Sequence, residues 1–264
     1  LAMQAGEAKR RERQGAKFII PHLQIGDSLD KLQIELEHSK DPRSLSLGEH
    51  DEKDLLVHTV ENGGMALDTL WHTVRFMKPT YATVPLIRDT KLINLTIRQT
   101  EDATDLKDTD YDVFITADNG HLNEKNDVVP EEPLLYTPFA QWTIDEASSA
   151  VTTPDEGEIV HANSLHYDFS VSRLVVYPKE ESKHAAKLYI VNKKDNKRLV
   201  AVLNLPEFLS YGREAYARRY SSQEYLDREN QYDIDLLIAG NRLRAITIRI
   251  GILRWQKRIQ IEDI

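Results

Sequence analysis

The sequence predicts an all-β protein built as two antiparallel β domains in tandem, with few and short helices. Three observations predict it. Apolar residues recur with a period of two, the spacing of a half-buried strand and not of a helix. Clusters of turn-forming residues interrupt these runs about every ten to fifteen residues, as between the strands of an antiparallel sheet. The 264 residues are 41% hydrophobic and 29% charged, inside the globular range, so each domain has enough apolar side chain to close a core.

In chain order, a first strand is expected at 18–21. Leu32, Ile34 and Leu36 then alternate with Gln33, Glu35 and Glu37, and Ile93, Leu95 and Ile97 alternate with Asn94, Thr96 and Arg98. Each set turns one apolar face inward. Further strands are expected at 83–87, 111–117, 174–177, 188–192, 199–205 and 234–238. Turn signals fall at Asp118-Asn119-Gly120, Asp195-Asn196 and Ala239-Gly240-Asn241. Towards the C-terminus Ile246, Ile248, Ile250 and Ile252 occupy even positions, whereas Leu253, Trp255, Ile259 and Ile261 occupy odd ones. A one-residue shift exchanges the faces of a strand, so either a bulge sits near Gly251 or two strands meet there. Helices are expected at 52–60 and, as a helix or an ordered loop, at 209–225, where Tyr211, Tyr216, Tyr220 and Tyr225 form an imperfect stripe that reads as packing. The acidic and small polar stretch 100–109 marks the junction, giving an N-terminal domain at 1–104 and a C-terminal domain at 105–264. The first domain is expected to be truncated or processed at its start, because the chain opens on Leu1 and 1–17 contains no secretory apolar region.

Charge and composition then exclude several classes of function. The net charge of −9 removes the basic face that nucleic acid requires, so no nucleic-acid partner is expected. With no cysteine there is no disulfide, thiolate catalysis or sulfur-ligated metal. No run reaches the roughly 18 apolar residues of a membrane helix. The loop 118–127 is rich in oxygen ligands, but Gly120 falls at its third position and not the sixth, so it reads as an Asx-rich hairpin connection and not a calcium loop. His58, His72, His121, His161 and His166 lack the spacing of a helical zinc site, and His161 and His166 fall on opposite faces of a strand. Nucleophile elbows, P-loops and dinucleotide fingerprints are missing, and Gly63-Gly64 stands alone. Glu131-Glu132 and Glu180-Glu181 read as solvated pairs, and the basic run 9–13 as an exposed loop open to an Arg-specific protease if mobile. No catalytic, cofactor-binding or metal-binding residue is assigned, and the protein is not expected to be an enzyme.

Several stretches, taken in order, resemble the FimB-like anchoring subunits of the minor and related type V fimbriae of Gram-negative gut and oral anaerobes. They are 26–38, 67–74 and 84–99 in the first half, then 112–127, 133–138, 170–176, 188–209 and 223–238. The block LDRENQYDI from Leu226 is the most specific, and the resemblance spans 18–264. Thr73 follows His72 where the family tends to have glycine, and the family's N-terminal lipoprotein cysteine and its first strands have no counterpart in this sequence. The resemblance implies two tandem transthyretin-like antiparallel β-sandwiches. It also implies a lipid-anchored subunit of the outer membrane that tethers a fimbrial stalk and limits its length, the lipid lying on an N-terminal segment not present in this chain. The implied partners are stalk or accessory subunits, joined by a donated strand, with no cofactor. Ile246, Ile248, Ile250 and Ile252 are the candidate partner-strand edge, against the plainer reading of an internal core strand. The alternatives are a fimbrial tip adhesin, or a carbohydrate-binding module of a glycan-utilisation system in which Trp71, Trp142 and Trp255 would supply stacking rings.

Overall fold

The computed structural model describes residues 16–38, 88–99, 106–144, 164–194, 198–216, 220–239, 242–250 and 255–260, with short strands at 2–4, 55–57, 65–67, 151–152 and 159–160. In chain order the strands are β1 (Ala2–Gln4), β2 (Phe18–Ile19), β3 (Ile34–Leu36), β4 (Leu55–Val57), β5 (Met65–Leu67) and β6 (Lys91–Gln99). They continue as β7 (Tyr111–Ala117), β8 (His121–Leu122), β9 (Leu134–Tyr136), β10 (Ala140–Ile144), β11 (Val151–Thr152), β12 (Ile159–Val160) and β13 (Ser164–Val171). After β14 (Lys187–Asn192) and β15 (Arg198–Asn204) come helices α1 (Leu205–Ser210) and α2 (Ser222–Arg228), then β16 (Gln231–Ala239), β17 (Arg242–Ile250) and β18 (Trp255–Gln260).

Three open sheets organise the chain. A six-stranded sheet runs β10-β13-β6-β16-β17-β18, a five-stranded sheet β15-β14-β7-β9-β4, and a three-stranded sheet β2-β3-β8. Two further pairings, β1 with β5 and β11 with β12, stand apart from them. The fold is therefore mixed α/β, which corrects the expectation of an all-β pair of tandem transthyretin-like antiparallel sandwiches. The finding that overturns it is the strand order itself: β6 runs parallel to β16, and β4 runs parallel to β9. Parallel neighbours need a long crossover, here the stretch that contains both helices before β16. Alternation told which face of β3 and β6 is buried; neighbour and direction depend on contacts far away in sequence, which alternation does not encode.

The core follows from that alternation. Ile93, Leu95 and Ile97 of β6 are buried, with Asn94, Thr96 and Arg98 on the other face. They join Leu165, Tyr167 and Phe169 of β13, Ile234 and Leu236 of β16, and Ile115 and Leu188 of the five-stranded sheet in one buried cluster. A smaller cluster on the opposite face of the five-stranded sheet holds Phe114, Leu135, Tyr189 and Val191, with the Phe114 and Tyr189 rings stacked at 5.0 Å.

The expected helix at 52–60 is corrected by β4, which occupies Leu55–Val57 as a strand; the flanking positions lie outside the described residues. The 209–225 stretch resolves into the end of α1, a 3-10 segment at Tyr211–Tyr216 and the start of α2. Ser221 caps α2, its Oγ accepting from the Glu224 N–H at 3.1 Å. Residues 174–177, expected as a strand, form none, and 83–87 lie outside the described residues. Where the isoleucine phase changes, two strands meet: β17 and β18 pair antiparallel.

Candidate functional site

The signature block beginning at Leu226 packs inside the protein. Arg173 donates from Nε to Asp227 Oδ1 at 2.9 Å and from Nη2 to Oδ2 at 2.8 Å, and both side chains are mostly buried. Such a two-pronged pair fixes orientation as well as charge. Lys91, at the first position of β6, donates to the carbonyls of Asp227 at 3.1 Å and Glu229 at 2.7 Å. Those are carbonyls at the end of α2, where a cation also meets the negative end of the helix. Tyr232 donates its hydroxyl to the Leu226 carbonyl. The block therefore ties α2 to the start of β6 and sets the parallel register of β6 and β16.

Asp89 completes this node, fully buried and accepting from Asn126 Nδ2 at 2.9 Å. Arg173 Nη1 donates to the Asn126 carbonyl, and Asn126 itself has φ of +64°, a conformation asparagine tolerates. Burial pushes the Asp89 carboxyl up to about 7, against the pull of Asn126, Arg173 and Lys91. Burial likewise lowers the Lys91 ammonium to about 8.

The loop 118–127 is the hairpin connection expected, and part of it is buried. Asn119 donates to the carbonyls of Ser172 and Arg173 and accepts from the Tyr136 hydroxyl at 2.6 Å. Asn123 Oδ1 accepts from the N–H groups of Lys125 and Asp127, an Asx turn. His121 lies between Glu131 Oε1 and Gln33 Oε1, each at 2.7 Å. Among the described residues no group of three or more His, Asp or Glu gathers to hold a metal, and no helix is long and apolar enough to cross a membrane.

The outer face of the six-stranded sheet carries a different chemistry. β10 is its outermost strand, and Gln141, Trp142, Thr143 and Ile144 are all exposed. Trp142 stands opposite His166, which stands opposite Thr96. The indole stacks on the imidazole at 5.1 Å and 9°, leaving 39% of the tryptophan in solvent. The imidazole is held in turn by Ser164 Oγ at 2.8 Å and Thr96 Oγ1 at 3.3 Å. In the next row Ala140, Asp168, Asn94 and Asp233 stand side by side. Asn94 Nδ2 donates to Asp233 Oδ1 at 2.8 Å. Burial, and then the Asp233 charge, push the Asp168 carboxyl above its ordinary value.

Of the expected partner edge, Ile246 is buried in the core, and Ile248 and Ile250 sit on β17 between β16 and the outermost β18. Ile252 lies outside the described residues, as do Trp71, His58, His72, His161 and the basic run 9–13. Trp255 opens β18. Sequence reasoning missed β13, although Leu165, Tyr167, Phe169 and Val171 alternate with polar residues along it.

The described residues thus combine a locked interior with an aromatic, polar face on the outer side of the six-stranded sheet. The chain belongs to the family of Fimbrillin-A associated anchor proteins Mfa1 and Mfa2, whose family model matches residues 15–261. The expected resemblance to fimbrial anchoring subunits is thereby borne out. Membership implies a bacterial cell-surface, outer-membrane-associated protein that associates with other fimbrial or adhesin subunits, and not an enzyme. No curated protein matches the sequence. Among solved structures, a candidate polysaccharide-binding protein of Bacteroides thetaiotaomicron is similar with a TM-score of 0.66 at 22% identity, over 92% of this chain and 72% of that one. A candidate adhesin of Bacteroides ovatus gives 0.61 at 17% identity over 92% and 71%. The fimbrial anchor protein Mfa2 of Porphyromonas gingivalis gives 0.53 at 12% identity over 90% and 71%.

Proposed function

We propose that the protein is an adhesive subunit of a bacterial surface fimbrium, placed at the tip or as an accessory subunit. The observation that carries this reading is Trp142: an exposed indole, braced from behind, on the outermost strand of a sheet. Large apolar side chains held rigid at a surface lose little entropy on contact, which suits them to binding. The candidate adhesin and polysaccharide-binding protein that share the fold support it.

A second reading is the lipid-anchored tether that holds the stalk at the outer membrane and limits its length, favoured by the family's own description. In either role the stalk or an accessory subunit would pair along β18, beside the strand that carries Ile246, Ile248 and Ile250. Deleting the gene in its native host separates the two. An adhesive subunit leaves fibres attached at normal length while binding to host or partner surfaces falls. A tether releases longer fibres into the medium, detected by immunoblot of washed cells against culture supernatant, and that outcome overturns the adhesive reading.

A further inference from the structure

We infer that the outer face of the six-stranded sheet is a binding site for neutral oligosaccharides, with Trp142 as the stacking ring and Asp168, Asn94 and Asp233 as the groups that bind sugar hydroxyls. The inference rests on the adhesive reading and names its ligand class.

A pyranose ring offers an apolar patch of C–H bonds on its face and hydroxyl groups around its rim. Recognition therefore needs a flat apolar surface with hydrogen-bonding groups at its edge. Trp142 supplies the first, and its orientation is fixed before any ligand arrives, because His166 fills the space behind it and both imidazole nitrogens are engaged by hydroxyls. The second comes from the adjoining row. Asp168 is paired in register with Ala140, two positions along β10 from Trp142, which places the carboxylate on the same face and diagonal to the ring. Among the described residues no hydrogen-bond donor satisfies the half-buried Asp168 carboxylate, whereas Asp233 uses one oxygen on Asn94 and has the other left for a hydroxyl. A carboxylate accepting from a hydroxyl makes a stronger bond than a neutral acceptor does. Burial, and then the Asp233 charge, raise the affinity of the Asp168 carboxyl for protons.

Charge decides the class of sugar. Asp168 and Asp233 face each other across Asn94, and Asp235 lies in the row of Trp142, while cationic residues of the same face stand farther off, Arg249 paired with Asp233 on its side away from Trp142 and Arg98 two positions along β6 from Thr96. A uronate, sialylated or sulfated glycan would bring a like charge beside Asp168, whose neighbours in the row are the uncharged Ala140 and Asn94, and the chain's net charge of −9 adds to the repulsion. A neutral hexose chain meets no such barrier.

Isothermal titration calorimetry of the full chain tests this, using cellohexaose, mannohexaose, xylohexaose and lacto-N-tetraose as neutral probes and sialyllactose and oligogalacturonate as acidic ones. At least one neutral probe is expected to bind more tightly than either acidic probe. Trp142→Ala should weaken that binding about tenfold, and Trp142→Phe, which keeps a ring, should recover most of it. Far-UV circular dichroism on both variants establishes that the sheet is intact. Binding in Trp142→Ala equal to that of the unaltered chain overturns the site, as does preference for an acidic probe or failure of every neutral probe to bind. None of these results bears on fibre attachment, so the adhesive reading is decided separately by the deletion strain.

Discussion

Asp89 carries the sharpest consequence of the buried node. Its carboxyl titrates near 7 in the folded chain, well above the ordinary carboxylate value of 3.8. Between those values the folded state holds a proton that the unfolded state has lost, so this group makes stability fall as pH rises from about 4 to about 7. Asp89→Asn removes the titration and keeps an oxygen for Asn126. The melting temperature of the variant relative to the unaltered chain should therefore climb over that window and level off above about pH 7, as measured by differential scanning fluorimetry across a pH series. A difference independent of pH would show that Asp89 does not titrate there. None of this was legible beforehand, because Asp89 reads as one more acidic residue in a chain with 43 of them. Groups that act on it, Asn126 by a hydrogen bond and Arg173 and Asp227 by their charges, arrive from three other segments. Trp142 was legible as a stacking candidate on residue type alone, whereas His166 behind it was weighed as a metal ligand and set aside on its spacing. Only the pairing of β10 with β13 unites them.

The strand–turn–strand unit from β7 to β8 shows how little room an element leaves at its turn. Gly120 follows the buried Asp118 and Asn119, and its carbonyl accepts from the Leu36 N–H at 2.7 Å, joining β3 to the turn. A Cβ placed on Gly120 would lie 2.7 Å from Leu134 Cδ1, and Leu134 is itself only 2% exposed. Gly120→Ala should accordingly cost about 1–3 kcal/mol by urea denaturation, through overpacking and not through backbone strain. Adding Leu134→Val should return part of that loss, and strict additivity of the two changes would refute the steric account. At this scale the sequence was informative. β3, β6, β7, β14, β15 and β16 overlap the strands expected; on β3 and β6 burial of one face imposes the period of two, whereas β7 and β14 are buried on both faces and read as short apolar runs. The helix expected at 52–60 failed because a three-residue strand is too short for its period to show against the helical pattern around it. The Ser-x-x-Glu pattern from Ser221 to Glu224, whose serine caps α2, was a local signal present in the sequence and not used.

For the whole molecule, topology was the part the sequence did not reveal. The junction expected at 104/105 places β6 in the first segment, yet β6 hydrogen-bonds on both sides to strands of the second, β13 and β16. Its three buried isoleucine and leucine side chains sit at the middle of the main core. Residues 105–264 expressed alone should therefore lack cooperative thermal unfolding and show poorly dispersed amide NMR signals. A well-folded 105–264 fragment would instead establish the C-terminal segment as an independent domain. The parallel pairing also fixes an order of events. At the Asn94–Asp233 contact, β6 and its neighbour are separated by 139 positions along the polypeptide. β6 therefore leaves the ribosome long before the strand that will flank it exists, and closing so long a loop is slow. Until β16 is made, β6 presents an unpaired strand edge, the kind of surface that a holding chaperone shields in a partly made chain.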